Sequence, residues 1–462
     1  LELPKLTQEE NDMLLKSPTV DEVYTVVCSM DPQSAAGPDG FGGGFYQSCW
    51  ECIRDDFMDG VQDFFAGATM PRGFSSTTII LLPKREGACE WKDFRPISLA
   101  NVSAKIISKI LSTRINQLLP RLILEFQTGF IPGRGIQDNV LLAQELILDL
   151  DKKLRHPNVI LKLDMEMAYD RVDWGFLLYM LREFGFKEGV VDLIFRLISN
   201  VWFSVLVNGE LTGFFKSTRG VRQGDPLSST LFLFVSEFLG RGLQRLFTST
   251  PAFRFLSKGG LVPFLAFADD VIIFTRASTE CLQAVSSFLQ EYQTLSGQKI
   301  NLSKSQFLCS SKLPSEVIQL IQQVTGFQGQ PWPVKYLGVP LSLGRSKSVL
   351  FDGVIASVRA KLHHWSSRFL SAGGKLILIR HVLSSMPLYL LQVTKPPKGV
   401  FLRLGKLFNA FLWDGKDGRR IHWSSWEKVC FPVEEGGLGF RSLLDLERAF
   451  AMKLWWTIRQ KS

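Results

Sequence analysis

The chain has 462 residues, of which 46% are hydrophobic and 21% are charged, a composition typical of a globular protein and not of a disordered or fibrous one. At roughly 150 residues per domain, this length predicts two to four subdomains with an ample core. No apolar run approaches the ~20 residues needed to cross a bilayer, so we expect no membrane partner. The net charge of +9 is uneven, because residues 335–462 hold 21 Lys and Arg against 8 Asp and Glu.

The first half of the chain alternates helical and strand patterns. Residues 1–75 are helical, with an interruption at the glycine-rich SAAGPDGFGGGF. TTIILLPK (77–84) is a β-branched strand, and NVSAKIISKILSTRINQLLPRLI repeats apolar residues at helical spacing. VILKLDMEMAYDRVDW (159–174) begins as a strand and turns at Asp164, and Asp173 then caps a helix.

The second half begins with FSVLVNGELTGFF, a predicted hairpin with its turn at Asn208-Gly209. Asp225-Pro226 is expected to open the helix STLFLFVSEFLGRGLQRLF, and LAFADDVIIF predicts a second hairpin. TECLQAVSSFLQEYQTLSG predicts a helix that ends at Gly297. From about residue 350 the pattern is helical and basic. Because the chain starts without Met and stops inside a helical pattern, we expect it to be a piece of a longer polypeptide.

Seven scattered cysteines indicate a reducing compartment and not a disulfide framework. Cys49 and Cys52 form a lone CxxC in a stretch that has the pattern of an amphipathic helix. No second Cys/His pair stands at finger spacing, so we interpret them as core cysteines and not as a zinc site.

The basic region from Lys335 onward also holds six of the eleven tryptophans, namely Trp365, Trp413, Trp423, Trp426, Trp455 and Trp456. Cations interleaved with aromatic rings suit a polyanion with stackable bases. A basic helical domain with tryptophans in its core is an equally good interpretation of this pattern.

Two adjacent carboxylates, Asp269 and Asp270, interrupt the apolar run FLAFADDVIIF. An isolated Asp-Asp pair is usually an exposed turn, but Asp164 also follows an apolar strand. If the two strands are neighbours, the three carboxylates converge and repel one another unless cations neutralise them. Oxygen ligands of this kind suit two Mg²⁺ ions, with Mn²⁺ as a substitute, that assist in-line attack of a 3′-hydroxyl and departure of pyrophosphate.

Residues near these aspartates fit the same chemistry, although each also has an ordinary structural explanation. Tyr169 could lie under the incoming sugar and exclude a 2′-hydroxyl, or could be a core tyrosine. Gln223 and Gly224 precede a helix start where a nucleotide or template backbone could approach, or belong to an ordinary N-cap. Lys304 could protonate the leaving pyrophosphate, or could be a solvated surface lysine.

An ordered series of segments resembles the reverse transcriptases of LINE-type non-LTR retrotransposons, most of all those of plants. The segments span residues 37–341 and run, in order, GPDGF, ILLPK, FRPISLANVSAKIISKIL, QTGFIPGRGIQDNVLLAQE, LKLDMEMAYDRVDW, RGVRQGDPLSSTLF, FADD, SGQKINLSKS and KYLGVPL. Each motif alone is modest, whereas nine in sequence are specific. The chain departs from the family where Met167 stands for the usual Lys and Ser229 for the usual Pro, but no metal-binding position is lost.

The resemblance implies a role for each matching position. Asp164, Asp269 and Asp270 correspond to the metal-binding carboxylates, and Tyr169 to the residue that selects the sugar. Gln223 and Gly224 correspond to the nucleotide and template contact, and Lys304 to the lysine that protonates pyrophosphate. Arg95 matches a basic residue near the incoming triphosphate, with Lys105 a weaker candidate, and KYLGVPL resembles the primer grip.

The resemblance further implies an α+β fold, namely a right-hand polymerase with an antiparallel-sheet palm, mixed fingers and a helical thumb. The segments implied are an N-terminal helical extension (1–76), fingers and palm (77–310), the palm end with primer grip and thumb (311–398), and a basic Trp-rich segment (399–462).

The implied function is RNA-directed DNA polymerisation, with RNA template, DNA primer and dNTPs as partners. An element RNA bound as a ribonucleoprotein and a nuclear and cytoplasmic location also follow from the resemblance. A catalytically decayed nucleic-acid-binding protein and an intron-encoded maturase stay open as alternatives.

Overall fold

The computed structural model describes residues 2–344, 347–365, 370–413 and 423–461. By contact density the chain divides into two compact units, one of Leu1–Asn139 with Asp149–Gln330 and one of Val140–Leu148 with Pro331–Ser462. The four predicted segments were defined by their roles in a polymerase and not by compactness, so their boundaries stay a prediction.

The first unit begins with helices and a mixed run of elements. In chain order they are α1 (Gln8–Leu15), α2 (Val20–Cys28), α3 (Gly43–Ser48), α4 (Trp50–Ala66), α5 (Arg72–Ser75), β1 (Ser76–Pro83), β2 (Phe94–Ala100), α6 (Val102–Asn116), α7 (Leu119–Leu122) and α8 (Ile136–Ile147), of which α8 continues into the second unit. The remaining elements of the first unit are β3 (Asn158–Leu163), α9 (Trp174–Glu183), α10 (Glu188–Ser199), β4 (Trp202–Val207), β5 (Glu210–Lys216), α11 (Ser228–Ser249), β6 (Phe264–Phe267), β7 (Asp270–Arg276), α12 (Thr279–Ser296), β8 (Gln306–Leu308), α13 (Ser315–Thr325) and β9 (Gln328–Gly329).

Two sheets organise this unit. The first has the order β2-β1-β4-β5, with β1 and β4 parallel and the other pairs antiparallel. The second, which we call the central sheet, has the order β6-β7-β3-β8-β9 and is antiparallel except for β8 and β9. The central strands β3 and β7 are buried on both faces, which explains why their sequences are continuous apolar runs and not alternating ones.

Local sequence signals determine several element boundaries as predicted. Asp173 caps α9 by accepting a hydrogen bond from the Phe176 N–H at 2.8 Å. Gly297 ends α12 with a φ of +73°, a left-handed conformation that glycine adopts without a Cβ clash. The turn between β4 and β5 contains Asn208 and Gly209, both with positive φ, as a tight hairpin requires.

Helix α11 lies against both hydrophobic cores of the first unit. Its first half packs Phe232 and Phe234 into a core formed mainly by helices, and its second half packs Leu243 and Phe247 against the central sheet. A helix that is apolar nearly all round is expected in such a buried position.

The second unit is mainly helical. In addition to residues 140–148, its elements are β10 (Val334–Tyr336), β11 (Val339–Leu341), α14 (Asp352–His364), α15 (Ala372–Leu378), α16 (Leu388–Val393), α17 (Lys398–Leu412), α18 (Trp426–Val429) and α19 (Leu443–Lys461). Strands β10 and β11 form an antiparallel pair, and the helices surround a core that includes Phe351, Leu383 and Phe408.

One segment differs from the prediction that no stretch is long enough to span a membrane. Ala372–Val393 has 22 residues with a mean hydropathy of 1.5, which meets the length and composition of a span. The segment contains a π-helical stretch and a turn between α15 and α16, and Ile379 and Leu383 are buried in the core of the second unit. A helix from the core of a soluble protein passes the same test, so the finding is weak support for a membrane span.

Candidate active site

The predicted meeting of the three aspartates depends on β3 and β7 being neighbours in the sheet. They are paired antiparallel, with Leu163 opposite Val271, so Asp164 leaves β3 at the edge where Asp270 begins β7. Phe267 pairs with Asp270 and closes a tight connection that contains Ala268 and Asp269. We call the residues from Phe267 to Asp270 the aspartate turn.

The charges of these aspartates influence one another. Burial raises the pKa of Asp164, nearby Lys304 lowers it, and the negative charge of Asp269 raises it again. Burial likewise raises the pKa of Asp270, Lys162 opposes that shift, and Asp269 and Asp164 add to it. The three side chains therefore form one electrostatic group, in which a bound cation would relieve repulsion.

These carboxylates could supply only some of the ligands of a divalent cation, and the other ligands would have to come from water or substrate. Within the described ranges, no group of three or more His, Cys, Asp or Glu side chains could hold a metal ion by itself. Asp164 and Asp269 line a common cavity, and Asp270 is not among its lining residues. Mg²⁺ usually keeps several waters and shares phosphate oxygens with its substrate, so two carboxylates suffice for this kind of site. A ligand role for Asp270 stays a prediction.

The cavity beside the aspartates has a volume of about 1760 Å³ and belongs wholly to the first unit. It is lined by the predicted site residues Arg95, Asp164, Tyr169, Gln223, Gly224, Asp269 and Lys304. Lys105 does not line it. Burial lowers the pKa of Lys105, which lies on α6 near Asp225 and Asp39, whereas Lys109, about one helical turn further on, does line the cavity.

Tyr169 is held by its packing. Its ring stacks on that of Phe232 in α11, with centroids 5.1 Å apart and planes at 14°. Burial and the charge of Asp269 raise the pKa of Tyr169 to about 12, so the hydroxyl stays protonated at neutral pH. The Tyr169 ring is half-buried, as a core tyrosine would be, and also forms part of the cavity wall, as a residue that contacts the sugar would. The two interpretations of Tyr169 are therefore compatible.

Gln223 and Gly224 join the cavity wall to the first sheet. The Gln223 side-chain amide donates to both carboxylate oxygens of Asp170, at 3.2 and 3.4 Å, and its backbone carbonyl accepts from the Ser98 N–H at 3.0 Å. Gly224 has a φ of +109°, and a Cβ there would lie 3.2 Å from the Ser98 carbonyl oxygen. Only glycine combines this backbone conformation with so close an approach.

The prediction that Asp225-Pro226 opens the following helix is wrong. Helix α11 begins at Ser228, and its N-cap residue makes no side-chain cap. The Asp225 carboxylate instead forms a buried ion pair with Arg222 and accepts hydrogen bonds from the Ser108 hydroxyl and the Leu227 N–H. These partners hold Asp225 in a turn before the helix.

Sequence reasoning did not single out two aromatic residues of the cavity wall. Trp91, between β1 and β2, is 79% exposed, and Phe130 is 51% exposed with a φ of +61°. A positive φ is unusual for an aromatic residue and marks a backbone that tertiary contacts constrain. The sequence signal for Trp91 was a large apolar residue in an otherwise polar connection.

The second unit contains the KYLGVPL segment as the hairpin of β10 and β11. Leu337 and Gly338 form its turn with positive φ angles, and the Tyr389 hydroxyl donates to the Leu337 carbonyl at 2.7 Å. Its predicted role as a primer grip stays a prediction.

The tryptophans of the basic region divide between the two interpretations. Trp365, Trp413 and Trp426 pack against the core of the second unit. Trp423, Trp455 and Trp456 are exposed by 76%, 58% and 56%, and the Arg459 guanidinium lies 5.3 Å from the Trp455 ring centroid. Residues 414–422 of this region, and with them part of its predicted basic charge, lie outside the described residues.

The interpretation of the CxxC pair as core cysteines is only partly right. Cys49 is half-buried between α3 and α4, whereas Cys52 is exposed on α4. The pair lies at the rim of the helical packing, where a small side chain is accommodated without full burial.

Comparison with known proteins decides the family. Residues 82–341, more than half of the chain, match the reverse transcriptase (RNA-dependent DNA polymerase) family. The chain belongs to the reverse transcriptase family. The predicted α+β right-hand polymerase class is confirmed with it. This family uses divalent metal ions, in agreement with the chemistry of Asp164 and Asp269.

Two relatives of this reverse transcriptase chain come from mobile elements. The chain is 29% identical over 447 residues to the transposon TX1 uncharacterized 149 kDa protein of Xenopus laevis, covering 95% of the chain and 33% of that protein. It is 26% identical over 392 residues to the retrovirus-related Pol polyprotein from type-2 retrotransposable element R2DM of Drosophila melanogaster, covering 81% and 35%. The expected relationship to non-LTR reverse transcriptases is therefore confirmed, and the chain spans about a third of the length of these relatives.

Among solved structures, the chain is similar to apo telomerase from Candida tropicalis truncated from its C-terminal domain. The TM-score is 0.39 at 18% sequence identity, and the similarity covers 58% of this chain and 56% of the telomerase chain.

Proposed function

We propose that this chain is the RNA-directed DNA polymerase of a non-LTR retrotransposon, which adds deoxynucleotides to a primer 3′-end on an RNA template. The observation that supports this most strongly is that Asp164, which follows β3, and Asp269, which precedes the neighbouring strand β7, line one large cavity. Cationic side chains at the same cavity, Arg95, Lys109 and Lys304, suit the triphosphate of an incoming nucleotide.

The reaction joins the primer 3′-oxygen to the α-phosphorus of the nucleotide and breaks the bond to pyrophosphate. Two Mg²⁺ ions held by Asp164 and Asp269 would activate the 3′-hydroxyl and neutralise charge on the phosphates. In this proposal Lys304 holds the leaving pyrophosphate and gives it a proton; its position in the cavity wall and its effect in lowering the pKa of Asp164 support that role. Tyr169 excludes the ribose 2′-hydroxyl, and Gln223 with Gly224 contacts the nascent base pair.

The wider setting is also part of the proposal. RNA template, DNA primer and dNTPs are the substrates, and the element RNA remains bound as a ribonucleoprotein. The basic second unit supports binding of the primer–template duplex through its phosphates. The seven free cysteines fit a reducing nuclear and cytoplasmic location.

Primer extension tests the proposal. The purified chain with poly(rA)/oligo(dT), dTTP and Mg²⁺ is expected to extend the primer, and Asp269→Asn to abolish extension without loss of duplex binding. Asp59→Asn, which changes an exposed carboxylate on α4, is the matched control and should extend normally.

Two outcomes would contradict the polymerase assignment. A chain that binds the duplex but incorporates no dTTP would indicate a catalytically decayed binding protein. Preferential binding of an intron RNA over arbitrary templates would indicate a maturase.

A further inference from the structure

The side chain of Gln127 is hydrogen-bonded to the aspartate turn from a loop more than a hundred residues away in sequence. Its Oε1 accepts from the N–H groups of Ala268 and Gly129, at 3.0 and 2.9 Å, and its Nε2 donates to the Ala268 carbonyl at 3.3 Å. Gln127 is only 3% exposed, so water does not compete for these bonds. One amide therefore satisfies both backbone polar groups of Ala268.

Ala268 requires such support because of its backbone. Its φ is +56°, a left-handed conformation that is unfavourable for a residue with a Cβ. Asp269 follows directly, is exposed and lines the cavity. Because rotation at Ala268 would redirect the next residue, the bonds to Gln127 help to determine where the Asp269 carboxylate points.

The loop that carries Gln127 fits the aspartate turn closely and is itself fixed. A Cβ at Gly129 would lie 2.5 Å from the Ala268 nitrogen, so only glycine permits this approach. Arg134 donates to the carbonyls of Gln127 and Ile123, both at 2.8 Å. The buried Glu237 of α11 accepts from the Leu124 N–H at 3.0 Å. These contacts hold the loop that carries Gln127 in one conformation.

We propose that Gln127 is a positioning residue for nucleotide addition, which holds the aspartate turn in the left-handed conformation that presents Asp269 to the metal and the substrate. This role rests on the proposed polymerase function. Gln127 belongs to the QTGF segment, which in the sequence was only part of the family resemblance. The proposal gives this segment a physical role in the active site. Gln127 acts through the backbone of Ala268 and does not itself touch substrate.

The matched test compares Gln127→Met with Asn139→Leu. Asn139 is also a buried amide, 2% exposed, and donates to the same hairpin at the Ala266 carbonyl, 2.8 Å away, but does not contact the aspartate turn. Both variants should lower the melting temperature and leave the Kd for primer–template unchanged. Only Gln127→Met should reduce kcat by about 10- to 100-fold and raise the half-saturating Mg²⁺ concentration several-fold, the usual effect of losing a residue that orients a metal ligand.

A second variant covers the case in which Gln127→Met does not fold. Gln127→Glu keeps the shape, and its protonated carboxyl can make the same three hydrogen bonds, whereas its ionised form cannot donate to the Ala268 carbonyl. The rate of this variant relative to the unsubstituted chain should therefore rise as the pH is lowered.

The inference is overturned if Gln127→Met loses stability alone, with kcat and Mg²⁺ dependence like those of Asn139→Leu. A rate ratio for Gln127→Glu that falls as the pH is lowered would overturn it as well, because protonation restores the bond to the Ala268 carbonyl. An unsubstituted chain that fails to extend a primer contradicts the proposed function instead, so the two failures are distinguishable.

Discussion

The ring of Tyr169 lies flat on the ring of Phe232, with a centroid separation of 5.1 Å. This contact joins the segment after β3 to the buried first half of α11, and it holds in the cavity wall the residue proposed to select the sugar. Replacing Phe232 by Leu removes the stacking surface and should let Tyr169 move away. We expect incorporation of rNTPs relative to dNTPs to rise by about 10-fold, and by more for Tyr169→Val.

Phe234→Leu is the control for this prediction. Phe234 lies on the same helix and is also fully buried, but its ring contacts Phe184 and Phe186 instead of Tyr169. The control variant should lose stability while keeping the selectivity of the unsubstituted chain. Equal rNTP incorporation by the two phenylalanine variants would show that stacking does not position Tyr169.

The requirement for Mg²⁺ should depend on pH. Burial and the charge of Asp269 raise the pKa of Asp164, so its protonation begins at a higher pH than for an ordinary aspartate. Because the metal binds only the ionised carboxylate, the half-saturating Mg²⁺ concentration should rise as the pH is lowered, and this rise should begin at a higher pH than an unperturbed aspartate would give. Initial rates of primer extension at several Mg²⁺ concentrations measure this, and a constant half-saturation value would contradict it.

Lys304→Ala should change both the rate and its pH dependence. Lys304 lowers the pKa of Asp164, so its removal raises that pKa and moves the acid limb of the pH–rate profile to higher pH. Loss of the proposed proton donor should also reduce kcat across the whole profile, by about 10²-fold or more. Lys299→Ala is a suitable control, since Lys299 is also a lysine paired with a carboxylate, Glu166, but does not itself line the cavity.

The attachment of the N-terminal helices to α6 depends on a buried arginine. Arg114 forms a bidentate ion pair with Glu22 at 2.8 and 2.7 Å and donates to the carbonyl of Leu14 at 3.1 Å. Arg114→Met leaves these acceptors without a donor and should lower the free energy of unfolding by about 3 kcal/mol. Chemical denaturation measures the loss.

Arg121→Met provides the comparison for Arg114. Arg121 also pairs with an N-terminal glutamate, Glu10, but its side chain is 46% exposed. Because the Arg121 side chain is already largely hydrated in the folded chain, its replacement removes little buried interaction, and the cost should stay below about 1 kcal/mol. Similar losses for the two arginine variants would contradict the view that burial decides the effect.

Duplex binding should weaken steeply with salt if the exposed end of α19 contacts phosphates. Lys453 and Arg459 lie on its exposed surface, beside Trp455 and Trp456. The double variant Lys453→Gln, Arg459→Gln should reduce the slope of log Kd against log salt by about 1 for each phosphate contact removed. Filter binding at several salt concentrations tests this, and an unchanged slope would place the duplex elsewhere.

Structural features that depend on residues close together in sequence could be predicted without the structure. The apolar runs of β3 and β7, the cap at Asp173 and the glycine end of α12 follow from local preferences that act over a few residues, and the structure has them where expected. Helix α11 was predicted to begin at Asp225 but begins later, at Ser228. The Asp225 carboxylate instead bonds to Arg222 and to Ser108, and Ser108 belongs to another helix, α6, so the neighbouring sequence does not reveal this partner.

The sequence by itself determined the family, since nine motifs in order are specific whatever their distances in space. Only the tertiary structure decided that Lys109 and not Lys105 lines the cavity. The two lysines lie on nearly the same face of α6 and differ by about one turn along its axis, and packing decides which turn reaches the cavity. Only the structure likewise brought Gln127 to Ala268, since a hydrogen bond between residues 141 positions apart leaves no local pattern in the chain.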